Sequence, residues 1–273
     1  MILIVGGTST IGQAIIHQAE RMALTCAFTC RKPGASHFLD LKFPSHSWEF
    51  PEKVETAILC AAVNGLGACE TNPLETRAVN VTAMMSLANR LAAQGAKITF
   101  LSSNQVFGPN ASVPAEDSEP SPATEYGRQK LAVERHLLAK IPGAQIIRLT
   151  KVISPALQLF AKWAASLAAG QTISAYSDLF FSPIALDSTV AMILKIASSP
   201  HSGIFHLSSA DAISYLDAAR WLAVRVGTEP SLVQSVPAPS PNTPDSCRLN
   251  CKRTVELVGY CISSPMDHLP ALF

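Results

Sequence analysis

Tyr126-Gly-Arg-Gln-Lys130 sets a phenol and an ammonium four residues apart. On a helix that spacing places both on one face. A free tyrosine titrates near ~10, poorly matched to proton transfer at neutral pH, and an adjacent cation favours the phenolate and lowers that value. A phenol tuned in this way passes a proton to or from a bound oxygen. Upstream, Ser102-Ser103-Asn104 closes an apolar run, and Ser103 can hydrogen-bond the same oxygen. The chemistry these three side chains suit is proton transfer at a carbonyl or an alcohol.

A second constellation opens the chain. Ile2 to Val5 is a short apolar run rich in β-branched residues, broken by Gly6-Gly7 and resumed after Gly12 with apolar positions at Ile11, Ala14, Ile15 and Ala19. Strand, glycine turn and helix together form the unit that holds a pyrophosphate, because backbone N–H groups and a helix N-terminus face the anion. The expected contacts are Gly6, Thr8, Ser9, Thr10, Ile11 and Gly12. The spacing is Gly6-x-x-Ser9-x-x-Gly12, with a serine where a middle glycine is common; its hydroxyl can donate to phosphate.

The second strand is expected over 24–30, leaving through Arg31-Lys32-Pro33-Gly34. An acidic residue at this point would bond the 2′-hydroxyl of NAD, whereas a nearby arginine accommodates the 2′-phosphate of NADP. Cys30 offers no carboxylate and Arg31 and Lys32 offer two cations, so the sequence favours NADP(H) over NAD(H). Lys130 can reach a cofactor ribose hydroxyl, which makes Tyr126 and Lys130 cofactor contacts as well.

These residues need elements to position them. Phe38 to Leu41 reads as a short third strand with Asp40 near the adenine, and 54–63 as a fourth, ending in Ala61-Ala62, small enough for a cofactor to lie across. A long helix is expected over 74–94, a strand over 97–103, a helix over 125–139 and a strand over 144–150. Residues 108–125 form a long loop. The β-then-α rhythm over 1–153 predicts an α/β fold, a Rossmann-type doubly wound parallel sheet. Residues 154–273 are expected as a small C-terminal substrate lobe, with 182–207 returning to the core. There, helices are expected over 157–169, from Asp187 as a cap over 188–197, and over 214–226; 203–207 reads as a strand, 228–246 as irregular, and 251–258 as a last short helix.

The bulk numbers agree with one such unit. The chain has 273 residues, 48% of them hydrophobic, enough for a substantial core. Net charge is +1 and charged residues are 15%, so no basic face for nucleic acid is implied. No apolar stretch reaches membrane-spanning length and the start lacks a signal-peptide pattern, so a soluble cytoplasmic protein is expected. Seven cysteines without a completing histidine spacing read as free thiols, not as a metal site.

The order Gly6…Gly12, Asp40-Leu41, Ala61-Ala62, Asn80, Leu101-Ser-Ser-Asn-Gln-Val-Phe-Gly108, Tyr126-x-x-x-Lys130 and Arg148-Leu149 resembles the extended short-chain dehydrogenases/reductases. Within them it is similar to the NAD(P)-dependent epimerase/dehydratase family and its dTDP-4-dehydrorhamnose reductase branch. Ser182 to Asp187 and Gly203 to Leu207 resemble that family's substrate-side segments. The resemblance implies catalytic Ser103, Tyr126 and Lys130. It implies cofactor contacts from Asp40, Leu41, Ala61, Ala62 and Asn80. Val63, Asn104, Gln105 and Arg248 are expected on the substrate side, Arg248 toward a phosphate.

Arg148 and His206 are expected to be structural. Asn104 and Gln105 are neutral where dehydratases carry an acidic pair, which argues against dehydration. The expected activity is reduction of a keto group of a nucleotide-linked sugar with NADP(H). A 4-epimerase using NAD is the alternative enzyme, and a non-catalytic nucleotide-binding sensor or partner subunit is the alternative of another class. Helices 74–94 and 126–139 offer a homodimer interface of the kind the family often uses.

Overall fold

The computed structural model describes residues 1–32, 37–43 and 45–273. Pro33 and Gly34 of the basic loop lie outside the described residues. The chain begins β1 (Ile2–Val5), α1 (Thr10–Arg21), β2 (Cys26–Phe28) and β3 (Thr56–Leu59). Helices α2 (Leu66–Thr71) and α3 (Pro73–Arg77) follow. A π-helical stretch (Ala78–Ala83) then runs into α4 (Met84–Ala93), β4 (Lys97–Ser103), α5 (Glu125–Lys140) and β5 (Gln145–Leu149).

The second half carries β6 (Lys151–Ile153), α6 (Gln158–Ala168), β7 (Ile173–Tyr176), β8 (Phe180–Phe181) and β9 (Pro183–Ala185). Next come α7 (Leu186–Ser198), β10 (Gly203–Leu207), β11 (Ile213–Ser214) and α8 (Tyr215–Arg225). The last elements are β12 (Val233–Val236), α9 (Pro244–Cys247), α10 (Lys252–Val258) and α11 (Pro265–His268).

The main sheet is parallel throughout, in the order β10-β5-β4-β3-β1-β2. The chain leaves β1 toward β2 on one side and returns to β3 on the other. The C-terminal ends of β1 and β3 therefore bracket the switch point, where open α/β sheets bind ligands. Both faces of the sheet are covered, which is why its strands are continuously apolar. Leu3, Val5, Leu59, Ile98 and Phe100 pack with Met84, Leu87, Leu91 and Leu137 of α4 and α5. Ile4, Ile58 and Ile147 pack on the opposite face with Ile15 of α1 and Ile193 of α7. A separate apolar cluster around Phe160, Phe181 and Leu222 fills the C-terminal lobe.

Four local expectations change. Phe38 to Leu41 makes a single bridge, Cys30 with Phe38, and no strand. The Asp40 carboxylate accepts from the Lys42 N–H at 3.0 Å and turns the chain away from the sheet edge. The helix over 74–94 is interrupted by the π-helical stretch around Asn80. Asp187 lies in the first turn of α7 and does not cap it, because β9 runs directly into the helix at Ala185. The 228–246 segment contains β12, a strand created by parallel pairing with β7. Among the described residues no helix is long and apolar enough to cross a membrane.

Candidate active site

The glycine turn is shaped by contacts that exclude a side chain. Gly6 adopts φ +87°, and a Cβ there would lie 2.9 Å from the Ala61 backbone nitrogen. A Cβ at Gly12 would overlap the Gly6 carbonyl oxygen. The turn is held by Thr29, whose hydroxyl accepts from the Gly6 N–H at 3.2 Å and whose carbonyl accepts from the Gly7 N–H at 2.9 Å. Ser9 caps α1: its Oγ accepts from the Gly12 N–H at 3.0 Å and donates to the Gly6 carbonyl at 2.8 Å. Its hydroxyl proton is thus committed to the turn and not to a phosphate. The next two amides, Thr10 and Ile11, have no hydrogen-bond partner among the described residues. They are the free donors expected at a helix N-terminus, where an anion is stabilised.

A cavity of about 340 Å³ starts at this turn. Gly6, Thr8, Ser9 and Ile11 line its floor. Arg31, Asp40, Leu41 and Lys42 line one end, and Ala61, Ala62, Val63 and Asn64 form a wall. Ser103, Tyr126 and Lys130 line the far end, together with Thr150 and Val152 just past β5. Thirteen positions expected from the sequence share this one space: Gly6, Thr8, Ser9, Ile11, Arg31, Asp40, Leu41, Ala61, Ala62, Val63, Ser103, Tyr126 and Lys130. Thr10 and Gly12 belong to the same turn without lining it, and Lys32 is exposed outside it.

The end lined by Ser103, Tyr126 and Lys130 is built from two helix starts. Ser103 ends β4; its Oγ accepts from the Gln105 N–H at 3.2 Å and donates to Asn104 Oδ1 at 3.3 Å. Thr124 caps α5 by accepting from the Gly127 N–H at 3.1 Å. Gly127 then packs on the Gln105 carbonyl so closely that a Cβ would overlap it. That approach brings Tyr126 to the cavity beside Ser103.

Lys130 is buried and donates to the Leu101 carbonyl at 2.8 Å, with its Nζ 5.7 Å from the centre of the Tyr126 ring. Its two other protons have no hydrogen-bond acceptor among the described residues, and the side chain lines the cavity. Burial lowers its pKa to about 8, against the opposing charge of Glu134.

The expected depression of the Tyr126 pKa is absent. Burial, with a smaller contribution from Cys69, pushes the phenol above its ordinary range. Lys130 is committed to Leu101 and lies across the ring, not at the hydroxyl. Tyr126 is therefore a firmly protonated acid, which suits donation to a developing alkoxide.

Several expected residues sit outside the cavity lining. Asn80 is buried and fully engaged. Its amide brackets Val63, accepting from the N–H at 2.8 Å and donating to the C=O at 2.9 Å, and it donates to Gln129 Oε1 at 2.8 Å. Asn104 donates to the Cys247 carbonyl at 3.1 Å, and Gln105 lies beneath Gly127. Arg248 is held by Asp245 at 2.8 Å, Asp211 at 3.5 Å and the Ala210 carbonyl, away from the cavity. Arg148 pairs with Glu134, and His206 donates to or accepts from buried neighbours in β5 and the 250 region.

Sequence reasoning missed Gly127, Lys42, Gln129 and Glu134. Glu134 was signalled by its position one turn after Lys130 on the same helix face. Lys42 had no sequence signal, because the turn at Asp40 that presents it is not periodic.

The profile of the RmlD substrate binding domain matches residues 1–269. A probable low-salt glycan biosynthesis reductase, Agl14 of Haloferax volcanii, is 32% identical over 67% of the chain, and the match spans 63% of that relative. The dTDP-4-dehydrorhamnose reductase of Mycolicibacterium smegmatis is 30% identical over 88% of this chain and 76% of its own length. The fold matches the crystal structure of dTDP-4-dehydrorhamnose reductase from Bacillus anthracis in complex with NADP, with TM-score 0.84 at 19% identity, covering 100% of this chain and 96% of that one. The chain belongs to the RmlD substrate-binding domain family.

Proposed function

We propose that this chain is an NADP(H)-dependent reductase acting on a keto group of a nucleotide-linked sugar. The observation that carries this reading is the single cavity that runs from the glycine turn to Ser103, Tyr126 and Lys130. The relatives' names supply the substrate class, and dTDP-4-dehydrorhamnose is the first candidate.

The residues present fit a dinucleotide. The Gly6 and Gly12 positions leave no room for a Cβ, and the free Thr10 and Ile11 amides would hold the pyrophosphate. Arg31 and Lys42 would hold a 2′-phosphate, which favours NADP(H); Asp40 is already occupied by the Lys42 N–H. The unshared Lys130 protons would meet a ribose hydroxyl. When bound, the reduced cofactor supplies the hydride.

The chain's own groups do the rest. Ser103 and Tyr126 hold the substrate carbonyl oxygen and fix its carbon for attack. As charge develops on that oxygen, the Tyr126 phenol gives up its proton, and the Ser103 hydroxyl turns its proton from Asn104 Oδ1, a long contact of 3.3 Å, to donate a hydrogen bond. The Lys130 ammonium across the ring stabilises the phenolate left behind. The small side chains of Ala61 and Ala62 leave room along the cavity wall for the cofactor.

The test is NADPH consumption by the purified chain with a panel of nucleotide-linked keto-sugars, the product identified by NMR. Turnover with one member, lost by a factor of about 100 or more in Tyr126→Phe, is expected. Absence of both NADPH binding and turnover would overturn the reading.

A further inference from the structure

Behind the cavity lies a buried charged cluster that the reaction as written does not use. The Glu134 side chain on α5 is 1% exposed and that of Arg148 on β5 is 2% exposed. Arg148 Nη2 donates to Glu134 Oε2 at 2.7 Å, and its Nε lies 3.2 Å from both carboxylate oxygens. Ser102 Oγ donates to Glu134 Oε1. Arg148 Nη1 faces His206 Nε2 at 3.4 Å, and its guanidinium lies 5.0 Å from the centre of the Phe107 ring.

An ion pair this deep is a poor source of stability, since packed apolar residues of the same volume serve as well or better. Its location suggests another use. Glu134 is one helical turn from Lys130 and two from Tyr126, all on α5. Its hydrogen-bond partner Ser102 is the chain neighbour of Ser103 on β4. The carboxylate therefore ties α5, which carries Tyr126 and Lys130, to β4, which carries Ser103.

We propose that Glu134 is a positioning residue: anchored by Arg148 and Ser102 one helical turn beyond Lys130, it fixes α5 against the end of β4 and so sets Tyr126 and Lys130 relative to Ser103. Its catalytic consequence rests on the reductase reading above; the charge relationship does not.

The groups around these side chains are few. Lys130 faces Tyr126 and Glu134 on its own helix, Cys60 just past β3, Cys69 on α2 and the Leu101 carbonyl of β4. The two thiols are pushed up by burial and stay neutral. Glu134 faces Arg148 on β5 and Ser102 on β4. Arg148 faces His206 on β10, which burial holds neutral with a pKa of about 3. Glu134 is thus the carboxylate that opposes the loss of the Lys130 proton to burial.

The experiment reads Lys130 directly in the ligand-free protein. Trace acetylation with acetic anhydride over a pH series, quantified at Lys130 by peptide mass spectrometry, gives its titration midpoint. Three variants are compared with the wild type: Glu134→Gln, Glu134→Gln with Arg148→Met, and Glu134→Asp. The second leaves no buried charge alone, so it carries the test if the first fails to fold; circular dichroism establishes folding.

Removing the carboxylate charge is expected to lower the midpoint by about one pH unit or more. Glu134→Asp should restore most of it. In turnover, the alkaline limb of the pH profile should move down by the same amount. Loss of kcat by about 10-fold should come with little change in KM for NADPH. In the double variant the Arg148 charge goes as well, so the midpoint should fall less; a folded Glu134→Gln with the wild-type midpoint, or a folded double variant with the wild-type kcat, would overturn the proposal and leave Glu134 a strut. A wild-type chain that reduced no keto-sugar would overturn the reductase reading, and the labelling would still decide this one.

Discussion

Gly127 rests on the carbonyl oxygen of Gln105, with no space for a Cβ between them. One residue before Gly127 is Tyr126, and two before Gln105 is Ser103. The contact sets the separation of the two hydroxyls that meet one substrate oxygen in the proposed reaction. Gly127→Ala should push α5 away from the turn after β4. Overpacking of this kind costs about 1–3 kcal/mol. The expected result is a lower melting temperature and a kcat reduced by more than ~10-fold, with NADPH affinity by calorimetry falling less than kcat, because α5 carries Lys130 but the glycine turn is distant.

Ser9 acts as a helix cap, since both its donor and its acceptor are used within the turn. Ser9→Ala should cost about 1 kcal/mol of stability in urea unfolding, and Ser9→Gly a few tenths. Cofactor affinity in Ser9→Gly should stay within about threefold of wild type, because the donors proposed for the phosphate are the free Thr10 and Ile11 amides. A loss of 100-fold would show that the hydroxyl does face phosphate.

Arg31 and Lys42 line the end of the cavity while Lys32 does not. Lys42 is paired with Glu75 at 2.6 Å. Arg31→Ala and Lys42→Ala should each weaken NADPH binding about 10-fold and NADH binding hardly at all. Lys32→Ala should leave the ratio near wild type. Glu75→Gln, which frees the Lys42 ammonium, should raise NADPH affinity, and the gain should shrink with added salt. Calorimetry on cofactor-stripped protein measures all four.

Asn80 brackets the Val63 peptide and bonds Gln129, the neighbour of Lys130. Asn80→Ala would leave buried groups on both sides unpaired, at a cost of about 1–3 kcal/mol for each group left alone. The expected outcome is a clear fall in thermal stability and a higher KM for NADPH as the Val63 wall loosens. An unchanged melting temperature would remove this assignment.

His206 is buried between Arg148 and the Asn250 carbonyl, and its pKa falls to about 3 from burial first and the Arg148 charge second. The folded value is below the unfolded one, so the unfolded chain takes up a proton that the folded chain refuses. Stability is therefore lost as pH falls below ~6.5, and the loss continues down to the folded value. Between pH ~6.5 and ~5 this histidine should account for up to about 2 kcal/mol of lost stability. His268, also lowered by burial, acts in the same direction. Urea unfolding of wild type and His206→Gln across this range should show a shallower loss in the variant.

The main sheet was largely legible because its strands are buried on both faces and read as plain apolar runs, from Ile2–Val5 to Gln145–Leu149. The strand expected at Phe38 was not, since a sheet edge ends where a side chain such as Asp40 captures the backbone first. β12 was hidden for the opposite reason: its partner β7 lies far away in sequence, and its own composition carries no strand signal.

By itself the sequence determined the chemistry available: a glycine turn for an anion, a basic exit from the second strand, and Ser103, Tyr126 and Lys130 in an order that resembles one reductase branch. Those are local facts of residue type and spacing. Only the tertiary structure decided how the groups are used. It turned Ser9 inward as a cap and gave Asn80 to Val63 and Gln129. It replaced Lys32 by Lys42 at the cavity and kept the Tyr126 phenol protonated through burial. The physical reason is common to all four. A polar side chain is claimed by whichever partner the packing brings within hydrogen-bond distance, and its proton affinity follows the solvent that packing removes.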